Sequence, residues 1–148
     1  MADTYRRQCV IEAPVEDVWA VVSDPETHPE WWPEVHGVRD VEEIAEGSEY
    51  TRVVRRMHFL DMVDNVWRVE RLEHLKEVQF RCTLTGTFTR FAMTPAERDT
   101  FVEIEVGMDP TNRRWKIAKA VMPTAMFRSW VRDLLDALPD AIRQKAPR

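Results

Sequence analysis

Asn65, Trp67 and Arg71 are the residues of this sequence best suited to chemistry. They belong to a stretch, Asp61–Leu72, in which Val63, Asn65, Trp67 and Val69 alternate with Asp64, Arg68 and Glu70, Val66 being the exception. On a strand one parity shares one face. That face would set an amide and a guanidinium beside an indole wall, a set that can orient a carbonyl or carboxylate. The alternative is that Trp67 is core filler and Arg71 reaches solvent at the strand end. Arg55 lies between Val53 and Met57 in the parity of its own strand and is read as facing inward with them. An unpaired inward guanidinium is costly, so it would imply an anionic or carbonyl-bearing ligand. His36 can act as acid or base near neutral pH, or it is simply a surface histidine.

Other catalytic patterns are missing. The four glycines (Gly37, Gly47, Gly86, Gly107) are not spaced as a phosphate or dinucleotide loop. Ser48, in Glu-Gly-Ser-Glu-Tyr, lacks the second glycine of a nucleophile elbow. His28, His36, His58 and His74 show no i, i+4 pairing, and Cys9 and Cys82 stand apart, so no metal site and no cofactor are expected. Asp61 and Asp64 have an odd spacing that puts them on opposite faces of a strand.

These residues sit in a chain of 148 residues, the length of one domain (residues 1–148). Hydrophobic residues are 44% and charged ones 32%, an ordinary globular balance. The net charge of −5 disfavours nucleic acid as a partner. No apolar run reaches membrane-spanning length, and Met1–Arg7 carries no signal-peptide core, so a soluble, cytoplasmic protein is expected. Two cysteines are too few for a disulfide framework. The charge is unevenly spread. Residues 111–148 hold nine Lys/Arg against three Asp, and the first 110 residues hold 12 Lys/Arg against 23 Asp/Glu.

The pattern of elements is α+β. Thr4–Ala13 alternates as a half-buried strand, with Tyr5, Cys9 and Ile11 on one side. Pro14 opens a helix with Glu16 and Asp17 in its first turn and a Val15, Val18, Trp19, Val22 stripe, stopped by Asp24-Pro25. His28–Pro33 is one or two turns at most. Strands are expected at Val35–Ile44, Tyr50–Met57, Asp61–Leu72, Val78–Leu84, Thr87–Thr94 and around Val102–Val106, with one wet face and one apolar face. Val78, Phe80, Cys82 and Leu84 form the apolar side of the cleanest alternation. A C-terminal helix from about Thr124 presents Phe127, Trp130, Val131, Leu134, Leu138 and Ile142 to that face, with Pro139 bending its last turns. One helix over a long curved sheet leaves room for a cavity.

The residues expected to line it are Trp32, Val53, Arg55, Met57, Val63, Trp67, Val69, Phe80, Trp115, Met122, Met126, Phe127 and Trp130. Trp32 either closes one end of the cavity or packs, and the methionines either make an adaptable wall or ordinary core. The stretch from Arg113 to Met122 interleaves cations with Trp115, Ile117 and Val121, which reads as a weak membrane-surface contact over 113–122 or as a solvated helical turn.

Ile11-Glu12-Ala13-Pro14, Val18-Trp19, Asp24-Pro25, Pro29-Glu30-Trp31 and Pro33 resemble the opening of the START-related (SRPBCC) superfamily, and most closely its polyketide cyclase/dehydrase-like branch. The likeness spans essentially the whole chain. It implies the helix-grip fold, a seven-stranded antiparallel sheet curled around a long C-terminal helix, with two short helices after the first strand and a deep apolar cavity. It says little of function, because members include lipid carriers, hormone binders and aromatase/cyclases. The Trp67-x-x-x-Arg71 spacing is similar to one in aromatase/cyclases, where an inward arginine is held to polarise a polyketide carbonyl. Three functions follow as expectations. The first is binding of a small or medium hydrophobic ligand (lipid, isoprenoid or polyketide-like), by a monomer or homodimer. The second is an aromatase/cyclase or dehydratase acting on a poly-β-ketone, with Arg71 and Asn65 stabilising an enolate and His36 moving a proton. The third is a docking module using the basic C-terminal region.

Overall fold

The computed structural model describes residues 4–55, 62–120 and 124–145. In chain order the elements are β1 (Thr4–Ile11), α1 (Val15–Val22), a 3-10 turn (Pro25–Thr27), α2 (His28–Trp31), β2 (Val35–Arg39), β3 (Glu49–Arg55), β4 (Met62–Glu73), β5 (Glu77–Cys82), β6 (Thr87–Ala96), β7 (Asp99–Met108), α3 (Arg113–Ala120) and α4 (Thr124–Lys145). The strands make one antiparallel sheet in the order β1-β7-β6-β5-β4-β3-β2. This is the α+β helix-grip architecture. No helix among the described residues is long and apolar enough to cross a membrane.

β1 and β2 are consecutive strands on opposite edges of the sheet, so the α1–α2 link must carry the chain across its full width. The local sequence makes that link rigid. Pro14, with extended backbone, precedes α1, and Glu16 and Asp17 lie at the positive end of its dipole. The last carbonyls of α1 are satisfied by the residues that follow. Ser23 Oγ donates to Trp19 O at 2.6 Å, Thr27 Oγ1 to Val21 O at 2.7 Å, and His28 Nε2 to Val22 O at 3.1 Å. Asp24 accepts from Glu26 N and starts the 3-10 turn. The segment that ends α1 thereby fixes α2, and with it Trp31 and Trp32.

α4 buries Phe127, Val131, Leu134, Leu138 and Ile142, an i, i+4, i+7, i+11, i+15 stripe, against β1, β7 and α1. The helix continues through Pro139 to Lys145. The outer face of the sheet is charged. Arg90 on β6 meets Glu77, Glu103 and Glu105 at 3.2, 2.7 and 3.1 Å, and Arg81 pairs with Glu70.

Two expected strands are shorter in the structure. The one expected to reach Ile44 ends at Arg39, because Asp40 takes a left-handed backbone (φ 59°). The one expected to include Leu84 ends at Cys82, and Leu84 is exposed. The chain then turns at Gly86 (φ 75°), where a β-carbon would lie 2.4 Å from the Asp109 carbonyl oxygen. Gly86→Ala is therefore expected to lower stability by roughly 2–4 kcal/mol, combining a left-handed penalty with a backbone clash. Chemical denaturation checks this, and a loss under 0.5 kcal/mol would contradict it.

Candidate functional site

Between the concave face of the sheet and the helices α3 and α4 lies a cavity of about 280 Å³. Four indoles line it: Trp32 after α2, Trp67 on β4, Trp115 on α3 and Trp130 on α4. Aliphatic wall comes from Val35, Val54, Val106, Met108, Met126 and Leu134, and Cys82 adds a thiol. The polar lining is small: Arg52, Asn65, Glu34, and the threonines 85, 87 and 89. A mostly apolar wall with a few convergent polar groups is the usual make-up of a small-molecule site.

Arg52 is the unusual group. It is 1% exposed, and among the described residues no carboxylate lies within ion-pair distance of it. Its Nε donates to Tyr50 Oη at 3.1 Å and its Nη2 to His28 Nδ1 at 3.3 Å, both neutral acceptors. The guanidinium carbon sits 4.2 Å from the Trp32 ring centroid and 4.0 Å from that of Trp67, so the cation is sandwiched by two indoles. His28 holds the assembly from behind. Its Nε2–H is committed to Val22 O, which leaves Nδ1 free to accept from Arg52 and makes the ring the neutral tautomer. Burial first, and then the neighbouring Arg52 charge, lower its pKa well below the ordinary histidine value. Burial likewise raises the Tyr50 hydroxyl.

Glu34 lies in the turn between α2 and β2 and contributes to the same wall. Burial pushes its pKa up from 4.5 to about 7, against the pull of Arg52 and with help from the Asp133 carboxylate on α4. A carboxyl that titrates near neutrality beside a fixed cation can give or take a proton. The indole Nε1–H of Trp67 is buried with no hydrogen-bond partner among the described residues.

The expected site residues divide. Asn65, Trp32, Trp67, Trp115, Met126 and Trp130 all line the cavity. Val69, Phe80 and Phe127 are buried in the core beside it, Phe80 packing edge-on to His28, 5.0 Å between centroids. Met57 and Met122 lie outside the described residues, as do the side chains of Arg55 and Val63. Val53, paired with Gly37, is half-buried and off the wall. Arg71 and His36 do not join the cavity, as the solvent-facing alternative for each has it. Arg71 is 63% exposed and pairs with Glu77 at 3.4 Å, and His36 faces solvent.

The reason for Arg71 is a bulge. Trp67 opposes Cys82 and Val69 opposes Phe80, but Arg71 opposes Gln79, so the register slips by one at Glu70. Beyond a bulge the parity of a strand reverses, and the guanidinium that counting placed inside is turned out.

The reason for Arg52 is pairing. Tyr50 opposes Trp67 and Arg52 opposes Asn65, and directly opposed residues share a face. The inward parity of β3 is therefore Tyr50, Arg52 and Val54. The readable signal was an aromatic cross-strand pair, Tyr50 with Trp67, whose parity outranks that of Val53 and Met57.

Among solved structures the chain is similar to a START superfamily protein from Mycobacterium smegmatis (16% identity, 97% of this chain and 99% of that chain covered, TM-score 0.75). It is also similar to the Zhui aromatase/cyclase from Streptomyces sp. R1128 (15%, 99% and 97%, TM-score 0.74) and to a norcoclaurine synthase point mutant from Thalictrum flavum (12%, 97% and 96%, TM-score 0.66). At these identities the likeness is one of fold. No curated protein matches the sequence significantly. Residues 3–146 match the family described as polyketide cyclase / dehydrase and lipid transport. That match covers nearly the whole chain, and the protein belongs to this family.

Proposed function

We propose that the protein binds a small hydrophobic ligand in the cavity between the sheet and α4. The observation that carries the reading is the space of about 280 Å³ between sheet and helices, walled by four indoles. Ligand pockets usually run from about 300 to 1,000 Å³, so this one favours a compact body of two or three fused rings over a two-chain lipid. The family description, which couples cyclases with lipid transport, agrees with an apolar substrate or passenger.

The test uses the neutral probe N-phenyl-1-naphthylamine and energy transfer from tryptophan. Saturable transfer is expected. Val106→Phe, which projects a ring into the cavity, should weaken binding at least ~tenfold while leaving the far-ultraviolet circular dichroism unchanged. Equal affinity in the variant would place the probe elsewhere and sink the reading.

Glu34 favours a second reading, cyclisation of a poly-β-ketone in the same cavity. The Glu34 carboxylate would remove a proton from the carbon between two carbonyls, and the enolate oxygen would lie against Arg52. That carbon attacks a further carbonyl of the chain, a C–C bond forms, and the new alkoxide takes its proton from Glu34. The roles first assigned to Arg71 and His36 pass here to Arg52 and Glu34. Exchange of the C2 protons of 1-(naphthalen-2-yl)butane-1,3-dione in deuterated buffer is expected to be accelerated by the protein and to fall to the buffer rate with Glu34→Gln. Undiminished exchange in the variant would remove Glu34 from the chemistry.

A further inference from the structure

The donors that face the cavity exceed the acceptors offered to them. Of the five N–H donors a guanidinium carries, the structure commits two, to Tyr50 and to His28. The remaining fork has no acceptor among the described hydrogen bonds, and Trp67 Nε1–H, on a residue 93% buried, has none either. The Arg52 guanidinium lies 4.0 Å from the Trp67 ring centroid, so both sets of donors belong to one corner of the cavity. The charged and titratable groups that face this corner are His28 from α2, Tyr50 from β3 and Glu34 from the turn before β2, with Asp133 of α4 behind Glu34. Two of the four are neutral hydrogen-bond partners, and neither carboxyl is paired with Arg52.

From this arrangement we infer that the cavity is built for an apolar monocarboxylate, whose ring body lies among the indoles and whose carboxylate accepts from Arg52 and Trp67 Nε1. The planar fork of a guanidinium matches a carboxylate edge, two N–H groups to two oxygens. The charge count selects within anions. One buried cation balances one negative charge, whereas a phosphate monoester would leave charge uncompensated in an apolar space. The inference rests on the cavity being the ligand site, and goes beyond it by naming the head group.

The test compares three probes of one shape by calorimetry at pH 6: 2-ethylnaphthalene, 2-naphthamide and 2-naphthoate. The carboxylate is expected to bind at least ~tenfold more tightly than either neutral probe, the size of a charge-assisted hydrogen bond in a dry site. Trp67→Phe, which removes the indole N–H but keeps an aromatic wall, should cut 2-naphthoate affinity about threefold to tenfold more than it cuts that of 2-ethylnaphthalene. Arg52→Met should erase the preference for the carboxylate, and Arg52→Lys should restore part of it. If 2-ethylnaphthalene binds as tightly as 2-naphthoate, the head-group inference is overturned while the apolar site stands. If none of the three binds, both fail. Should Arg52→Met not fold, the wild-type series and Trp67→Phe still decide.

Discussion

His28→Ala is expected to destabilise the protein by about 3–5 kcal/mol, lowering its melting temperature by roughly 10–16 °C. His28 is fully buried and stands at the junction of three elements. Its ring packs edge-on to Trp31 and Phe80 and tilted on Trp32, with centroids 5.5, 5.0 and 4.9 Å away. Removing it opens a cavity of ring size, leaves Val22 O at the end of α1 without its donor, and strips Arg52 of one of its two acceptors. The same geometry gives a pH dependence. The folded state holds His28 neutral, with its pKa depressed, while the unfolded chain protonates near 6.5. The unfolded state therefore binds more protons below that pH, so the stability His28 contributes is complete above about 6.5 and is lost as pH falls. Because Glu34 titrates with the opposite sign over the same range, the comparison with His28→Ala isolates this effect: the stability advantage of wild type over His28→Ala in thermal melts should shrink between pH 7 and pH 5, and an advantage that stays constant would contradict the assignment.

The opposite sign is expected at Glu34. Its folded pKa of about 7 stands above the usual 4.5, so between these values the folded state binds more protons than the unfolded one. Its contribution is fully present below about 4.5 and is lost as pH rises to about 7. Glu34→Gln, which keeps the shape of the neutral carboxyl, is expected to be more stable than wild type at pH 8 by on the order of 2 kcal/mol and equal to it at pH 4.5. Binding should follow the same titration. Once ionised, Glu34 places a negative charge near Arg52, so wild-type affinity for 2-naphthoate should fall as pH rises through 7, while Glu34→Gln stays level. Equal melting of the two proteins at pH 8 would show that Glu34 is ionised without penalty.

The fold could be read in the sequence where one periodicity was dominant. The stripe Phe127, Val131, Leu134, Leu138, Ile142 and the alternation through Val78, Phe80 and Cys82 each had a single interpretation, and both elements stand where that interpretation put them. The site was legible only in part, because facing in a sheet depends on register as well as alternation. Asn65 and Trp67 lie before the bulge of β4 and keep the counted parity, whereas Arg71 lies after it and does not. On β3 both parities hold valines and an arginine, so alternation alone could not place Arg52 inside, and the pairing of Tyr50 with Trp67 and of Arg52 with Asn65 does. Glu34 and His28 were invisible for another reason. Each looks like a surface polar residue in a short connection, and what surrounds it comes from elsewhere in the chain: Arg52 and Phe80 against His28, and Arg52 and Asp133 near Glu34.

A bound ligand is expected to occupy the space between Trp32, Trp67, Trp115 and Trp130 with its head group at Arg52. A crystal structure of the complex with 6-bromo-2-naphthoate tests it most directly, because anomalous scattering locates the bromine independently of the protein phases. One strong bromine peak is expected inside the cavity, among the four indoles, with the carboxylate within hydrogen-bond distance of the Arg52 guanidinium. A bromine peak on the outer face of the sheet, or a naphthalene held in the cavity with its carboxylate turned away from Arg52, would contradict it.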